Sequence, residues 1–130
     1  MSSSSASMNT LLSGLRILVL DDELLAALDL AHIIQDLGAT VVGPVGTFQD
    51  AERLATDTQL DGAILDVKLS GCTSLPLAGQ LLDRGISVIL ATGYGNNMLP
   101  GRFAQVPRLS KPYGTAAVRK ITAEIFRAAT

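Results

Sequence analysis

Three acidic residues, Asp21, Asp22 and Glu23, directly follow the apolar run Ile17–Leu20. Neighbouring carboxylates repel one another, and removing either from water costs free energy, so their charge needs compensation if the run is a buried strand. Asp66 closes another apolar run, and three carboxylates meeting at one place could not all ionise unaided. Mg²⁺ suits such a cluster because it binds one or two carboxylates, several waters and a phosphate oxygen. The residue types therefore indicate a metal site, although Asp21-Asp22 alone fits a solvated strand end or a helix start equally well.

Two further residues with useful chemistry stand at the ends of apolar segments. Thr92 follows the run Ile86–Ala91 in the stretch LATG, and Lys111 precedes Pro112 in SKPY. A site that uses these residues together with the carboxylates requires the segments to end side by side, as neighbouring parallel strands do.

Short apolar runs alternate with helical patterns along the chain. Runs rich in β-branched residues predict strands covered on both faces. They are Ile17–Leu20, Thr40–Val42, Gly62–Leu65 and Ile86–Ala91. Apolar residues at helical spacing predict helices after them. These cover about 27–37, ended by Gly38 as a C-cap, about 48–57 after Thr47, 74–84 before Gly85, and 118–128.

Residues 96–107 give the least regular pattern, because Gly and Pro interrupt any long element there. The fourth helix is expected to be short or irregular, and a fifth strand is expected at Val106–Leu109, where Pro107 favours a sheet edge. Alternating strands and helices predict an α/β fold with a parallel sheet, helices on both faces and right-handed crossovers. Ligands bind at the carboxyl ends of the strands in such sheets, where the polar residues would meet.

Composition narrows the class of protein. The length of 130 residues predicts one domain, with residues 15–130 folded and the serine-rich residues 1–14 excluded as a disordered tail. A net charge of −2 without a basic run argues against a nucleic-acid partner. The sequence has no secretory signal or membrane-spanning run, and its lone Cys72 offers neither a disulfide nor a cysteine zinc site. We therefore expect a cytoplasmic protein without a membrane partner.

Taken together, these motifs resemble the receiver domain of two-component response regulators, from Leu15 to about Phe126. The motifs are Asp21-Asp22, Asp66 closing AILD, Thr92 in LATG, and Lys111-Pro112 in SKPY. The resemblance implies a flavodoxin-like, doubly wound (βα)5 three-layer sandwich with five parallel strands in the order 2-1-3-4-5. LATGYG, a short helix at MLPGRF, and VPRLSKPY are further similar to the stand-alone "FAT GUY" subgroup of alphaproteobacterial receivers.

The resemblance assigns roles to the acidic residues. Asp66 would be the phosphoacceptor, and its carboxylate would attack phosphorus to form an acyl phosphate. Asp22, Asp66 and the backbone carbonyl of Lys68 would bind Mg²⁺, while Asp21 would act mainly through a bound water. We therefore expect Mg²⁺ as the cofactor.

The remaining motif residues would bind the phosphoryl group. Lys111 would pair with one phosphoryl oxygen, and the hydroxyl of Thr92 would hydrogen-bond another. Pro112 is expected to follow a cis peptide bond that orients the lysine. These contacts would detect phosphorylation.

Several positions depart from the usual receiver pattern. Arg108 stands three residues before the lysine, where many receivers place a switch aromatic. Gly93, Tyr94 and Tyr113 then join Arg108 as candidates for a replacement switch surface, although each tyrosine could simply cover apolar surface. The loop after the phosphoacceptor, VKLSGC, lacks the proline that many receivers carry there.

The expected function is that of a response regulator that accepts a phosphoryl group from a sensor histidine kinase. Phosphorylation would switch contacts with a target protein, or phosphate would be relayed to a phosphotransfer protein or drained. No output domain is expected because the last helix extends almost to Thr130, and the active form would be a monomer or weak dimer. Such a domain assists only its own phosphorylation and dephosphorylation and is not an enzyme in the usual sense.

Other classes of protein fit less well. A haloacid-dehalogenase-type phosphatase requires an aspartate where Lys68 stands, and a dinucleotide binder requires a glycine where Met98 stands. A receiver-fold module that binds partners without phosphate stays open as the alternative.

Overall fold

The computed structural model describes residues 11–93 and 99–127. Its main sheet has five parallel strands. They are β1 (Arg16–Leu20), β2 (Thr40–Val45), β3 (Gly62–Asp66), β6 (Ser87–Thr92) and β7 (Arg108–Ser110). The strands lie in the order β2-β1-β3-β6-β7. With only these five counted, the order is 2-1-3-4-5, so the predicted topology is confirmed.

A small antiparallel hairpin separates β3 from the helix that follows it. Its strands are β4 (Lys68–Leu69) and β5 (Cys72–Thr73), and Leu69 pairs with Cys72. The sequence patterns did not predict this hairpin, because two-residue strands are too short to show periodicity.

Helices cover both faces of the sheet. They are α1 (Leu24–Asp36), α2 (Phe48–Asp57), α3 (Leu75–Asp83), α4 (Thr115–Phe126) and a short 3₁₀ helix (Gly101–Gln105). Residues of α1 and α4, such as Ile34 and Val118, share one buried cluster with one face of the strands. Residues of α2, α3 and the 3₁₀ helix, such as Ala51, Leu77 and Phe103, cover the other face. Every residue of β3 is buried as a result, which explains its uninterrupted apolar sequence.

Local sequence signals agree with the positions of three of the helices. The side chain of Thr47 caps α2 by accepting a hydrogen bond from the backbone N–H of Asp50, at 3.2 Å. In α1 the buried positions Ala27, Leu30 and Ile34 have helical spacing, which agrees with the predicted apolar stripe. The predicted irregular fourth helix is the 3₁₀ helix, which begins after Pro100.

Two predicted strand bounds were wrong by two residues or more. The second strand extends to Val45, because one extra residue on β2 between its pairings with Leu18 and Leu20 shifts the register and lets Leu20 pair with Val45. The fifth strand begins at Arg108, two residues later than predicted, since Pro107 has no N–H to donate to a ladder.

The predicted boundary of the N-terminal tail also needs correction. Leu12 is fully buried, and its backbone N–H donates to the carbonyl of Leu37 at 2.7 Å. Residues 11–14 therefore belong to the folded part of the chain, because a leucine inside the serine-rich start fills a gap beside α1. The remainder of the predicted tail, residues 1–10, lies outside the described residues.

None of the helices within the two described ranges combines the length and the apolar character that a membrane crossing requires.

Candidate functional site

Three carboxylates meet at the carboxyl ends of β1 and β3. One oxygen from each of Asp21, Asp22 and Asp66 lies within 4.8 Å of the others. Asp21 and Asp66 are buried, whereas Asp22 is exposed to solvent. The parallel pairing of Leu20 with Leu65 places these strand ends side by side, so the topology itself creates the cluster.

Lys111, which directly follows β7, joins the cluster. Its Nζ lies 3.2 Å from Oδ2 of Asp21 and 3.1 Å from Oδ2 of Asp66. The backbone N–H of Lys111 donates to the carbonyl of Thr92 at 2.8 Å, which links the end of β7 to the end of β6. The peptide bond between Lys111 and Pro112 is cis, as the resemblance implies.

Burial and neighbouring charges set the protonation of these groups. Burial raises the pKa of Asp66 to about 6, against the opposing effect of Lys111, and the negative charge of Asp21 adds to the rise. Burial alone would lower the pKa of Lys111, but its contacts with Asp66 and Asp21 outweigh that effect and raise it. The lysine therefore remains charged and compensates two buried carboxylates.

The cluster has the donors that a small hard cation requires. All three side chains offer carboxylate oxygens, and Asp22 faces the solvent, where the ion could retain bound waters. Lys68 lies two residues beyond Asp66 in β4, with its side chain exposed. The residues present thus fit Mg²⁺.

The described part of the predicted switch surface is spread around this site. Thr92 is buried at the end of β6, and Gly93 beside it is exposed. Arg108 begins β7, and its Nη2 donates to the carbonyl of Ala104 in the 3₁₀ helix at 3.1 Å. Tyr94 lies outside the described residues.

Tyr113 follows Lys111 and Pro112 and packs against the apolar cluster that includes residues of α1 and α4. Burial raises the pKa of its hydroxyl, and the negative charge of Asp21 adds to the rise. No residue in the described ranges hydrogen-bonds this buried hydroxyl. Tyr113 thus packs with the cluster on the α1 and α4 face, whereas Arg108 contacts the 3₁₀ helix, which packs on the other face.

A groove of about 770 Å³ runs between α1 and the segment that follows β7. Glu23 and Asp29 line its acidic side, Ile33 and Tyr113 contribute apolar surface, and Lys111 lies at the end nearest the carboxylates. Sequence reasoning missed this groove because it depends on how two distant segments pack. The acidic residues Glu23, just before α1, and Asp29, within it, were the available signal.

A backbone contact at the site was also missed. The N–H of Ser70, in the turn of the β4–β5 hairpin, donates to Oδ2 of Asp22 at 2.8 Å. Similarly, the N–H of Glu23 donates to Oδ1 of Asp21 at 2.9 Å. Backbone donors carry no signature in residue identity, so only the folded chain reveals them.

Known proteins are similar to this chain over most of its length. The chain is 36% identical to SdrG from Sphingomonas melonis Fr1, with a TM-score of 0.73 over 88% of this chain and 94% of that one. The BeF3-activated conformation of SdrG, from Pseudomonas melonis Fr1, matches with 38% identity and a TM-score of 0.72, over 83% and 92% of the chains. No family model matches the chain.

Two further relatives define the limits of the comparison. The phyllosphere-induced regulator PhyR of Methylorubrum extorquens is 31% identical over 112 residues, which are 83% of this chain and 42% of PhyR. The chain thus spans about two fifths of that relative's length. The response regulator TrrA from Thermotoga maritima, in complex with Mg²⁺ and BeF, is 22% identical, with a TM-score of 0.73 over 84% of this chain and 96% of that one. At this identity the match shows the fold alone.

Proposed function

Because the chain belongs to the receiver family of two-component response regulators, we propose that it accepts a phosphoryl group on Asp66 from a sensor histidine kinase. The observation that carries this proposal is the contact of Lys111 with both Asp21 and Asp66, beside a third carboxylate. A carboxylate nucleophile, a fixed cation and oxygen ligands for Mg²⁺ are the parts that phosphoryl transfer to an aspartate requires.

The proposed reaction begins with ionised Asp66. A pKa of about 6 leaves this carboxylate mostly charged at neutral pH. One of its oxygens attacks the phosphorus of a phosphohistidine in line, an O–P bond forms, and the N–P bond to the imidazole breaks. The products are an acyl phosphate on Asp66 and a neutral histidine on the kinase, once the leaving nitrogen has gained a proton.

Side chains around Asp66 stabilise the transferred group. Lys111 exchanges its contact with the carboxylate for one with a phosphoryl oxygen, and the buried hydroxyl of Thr92 donates to another. Asp22 and Asp66 would hold Mg²⁺ directly, and Asp21 would hold it through a water; the ion would supply positive charge that offsets the charge of the phosphoryl oxygens. The backbone carbonyl of Lys68 is the remaining protein ligand proposed for it.

The kinase segment that carries the phosphohistidine docks in the groove beside α1. Lys111 lines this groove and lies 3.1 Å from Asp66, so a donor seated there is within reach of the acceptor. Glu23 and Asp29 make one side of the groove acidic, and this favours basic residues on the partner. Replacing Asp29 with Lys should slow transfer from the kinase but leave the rate with acetyl phosphate unchanged, since that small donor needs no docking.

Phosphorylation acts by shifting an existing conformational equilibrium. Thr92 ends β6 and Lys111 directly follows the adjacent strand β7, and their new contacts would favour one arrangement of the segment that follows Thr92. Arg108, which contacts the 3₁₀ helix, would transmit that change to the surface. A target or phosphotransfer protein then binds the phosphorylated form.

The decisive test is intact-mass analysis after incubation with acetyl phosphate and Mg²⁺. One phosphoryl adduct is expected on the wild-type protein, and none on Asp66→Asn or in the presence of a chelator. Absence of an adduct, also with a panel of sensor histidine kinases as donors, would favour the alternative, a receiver-fold module that binds its partner without phosphate.

A further inference from the structure

We infer that the backbone N–H of Ser70 is a positioning group for Asp22, so that the β4–β5 hairpin helps to set the affinity for Mg²⁺. This inference rests on the proposed function, because it concerns the metal site of that reaction. Ser70 does not touch the reacting atoms. Its effect on the site passes through the carboxylate of Asp22, with which it forms a 2.8 Å hydrogen bond across 48 positions of sequence.

The shape of the hairpin explains why this N–H points away from the hairpin itself. Leu69 pairs with Cys72, which leaves Ser70 and Gly71 as a two-residue turn. Gly71 has a φ of +82°, and no non-glycine residue in the described ranges has a positive φ. A turn with positive φ only at its second central residue is type II. The hydrogen bond of such a turn joins its two outer residues, so the N–H of Ser70 is available to Asp22.

The acceptor is the one carboxylate of the cluster that needs external support. Asp21 and Asp66 are buried and are fixed by Lys111, whereas Asp22 is exposed. An exposed side chain loses rotamer freedom when it binds an ion, and this loss weakens binding. The hydrogen bond from Ser70 fixes Oδ2 of Asp22 before an ion binds. The other carboxylate oxygen, Oδ1, takes no part in that bond. Hydrogen-bond partners of metal ligands act in this way in known metal sites.

The hairpin is itself attached to the core. The side chain of Leu69 is buried in the cluster on the α3 face, and the N–H of Ser74, which follows the hairpin, donates to the carbonyl of Val67 at 2.9 Å. The turn that presents the Ser70 amide is therefore held at a fixed place relative to β3. This rigidity is what a positioning group requires.

Two variants of Ser70 separate the amide from the side chain. Ser70→Pro removes the N–H, and proline is favoured at the first central position of a type II turn, so the hairpin should keep its form. Ser70→Ala keeps the N–H and removes only the hydroxyl. Mg²⁺ is titrated into each protein, and its binding is measured from the amide proton and nitrogen chemical shifts. This measurement does not depend on phosphorylation.

The expected result is a Kd for Mg²⁺ that is about tenfold higher in Ser70→Pro than in the wild type, and unchanged within about twofold in Ser70→Ala. Equal or tighter binding by a folded Ser70→Pro would overturn the inference. If that variant does not fold, the Ser70 amide is compared in the metal-free wild type and Asp22→Ala. Its resonance should move upfield and exchange faster with solvent in Asp22→Ala, and an unchanged resonance would overturn the inference.

Failure of the proposed function would look different. A wild-type protein that binds Mg²⁺ but forms no phosphoryl adduct would refute phosphorylation and leave the role of Ser70 intact. A wild-type protein that does not bind Mg²⁺ would refute the metal site on which both proposals depend.

Discussion

At the amino end of β3, Gly62 faces the ring of Phe126, whereas at the carboxyl end of the same strand Asp66 contacts Lys111. A Cβ added to Gly62 would lie 2.5 Å from Cε1 of Phe126, so the amino end is closely packed with apolar atoms. The carboxyl end instead holds buried charges whose pKa values are shifted from their ordinary range. The comparison teaches that one end of the sheet supplies packing free energy, which offsets the cost of a polar site at the other.

The largest effect is expected from removing a side chain at the amino end. Leu12→Ala should lower the free energy of unfolding by about 2 to 5 kcal/mol, because Leu12 is fully buried and its loss leaves a cavity. Urea denaturation measures this change. Leu25→Ala is the matched control, since Leu25 is 77% exposed and its replacement should change stability by less than about 0.5 kcal/mol. Equal effects of the two variants would show that the N-terminal turn does not contribute to the core.

Adding a methyl group tests the same end in the opposite direction. Gly62→Ala should cost about 1 to 3 kcal/mol, because the new Cβ would overlap Phe126 beside a buried strand. Gly79→Ala is the control, because Gly79 lies inside α3 and its added Cβ would make only an ordinary 3.6 Å contact with Phe103. That second change should stabilise the protein by up to about 1 kcal/mol through helix propensity. Thermal melts should show a lower melting temperature for Gly62→Ala and a higher one for Gly79→Ala. An unchanged melting temperature in Gly62→Ala would contradict the close packing.

At the carboxyl end, removing a charge should stabilise the protein. Burial raises the pKa of Asp66, so keeping this carboxylate ionised in the folded state costs free energy. Asp66→Asn should therefore increase the free energy of unfolding by about 1 to 2 kcal/mol at pH 7 without Mg²⁺. Lys111 would retain Asp21 as its partner. Addition of Mg²⁺ should narrow the gap, because the ion stabilises only a protein that binds it.

The pH dependence checks the cause of that gain. The folded protein binds a proton at Asp66 more tightly than the unfolded chain does, since the pKa rises from 3.8 to about 6. The contribution of this group to stability is therefore fully present below pH 3.8 and is lost as the pH rises through about 6. Denaturation at a series of pH values should show the wild type and Asp66→Asn diverging across this window. A constant difference in the free energy of unfolding between the two proteins from pH 4 to pH 7 would mean that burial of Asp66 is not the source of the gain in stability.

The sequence was sufficient to predict most of this architecture, because its signals are local. Buried parallel strands produce uninterrupted apolar runs such as Ile17–Leu20, and the residues that end them, Asp21 and Asp66, stand out by their charge. Once a parallel sheet is inferred, its topology requires these strand ends to meet. The motif residues also resembled one family closely enough to predict the strand order.

Features that depend on the backbone or on long-range packing were not predictable in this way. The Ser70 contact with Asp22 is made by an N–H that every residue except proline carries. Burial of Leu12 depends on the space beside α1, which a serine-rich neighbourhood does not indicate. The start of β7 depended on where Pro107 falls relative to its neighbouring strand, and a shift of two residues leaves the apolar pattern almost unchanged.

The smallest expected effect compares two buried hydroxyl groups. The hydroxyl of Tyr113, next to the charged site, is buried without a hydrogen-bond partner among the described residues. The hydroxyl of Thr122 in α4 donates to the carbonyl of Val118 at 2.7 Å. Tyr113→Phe should therefore stabilise the protein by up to about 1 kcal/mol, whereas Thr122→Val, which removes a satisfied donor, should cost about 0.5 to 1.5 kcal/mol. Urea denaturation of both variants would measure the contrast. A loss of stability in Tyr113→Phe would mean that this hydroxyl has a hydrogen-bond partner in the folded protein. The free-energy cost of the polar site at the carboxyl end of the sheet would then be lower than its buried charges imply.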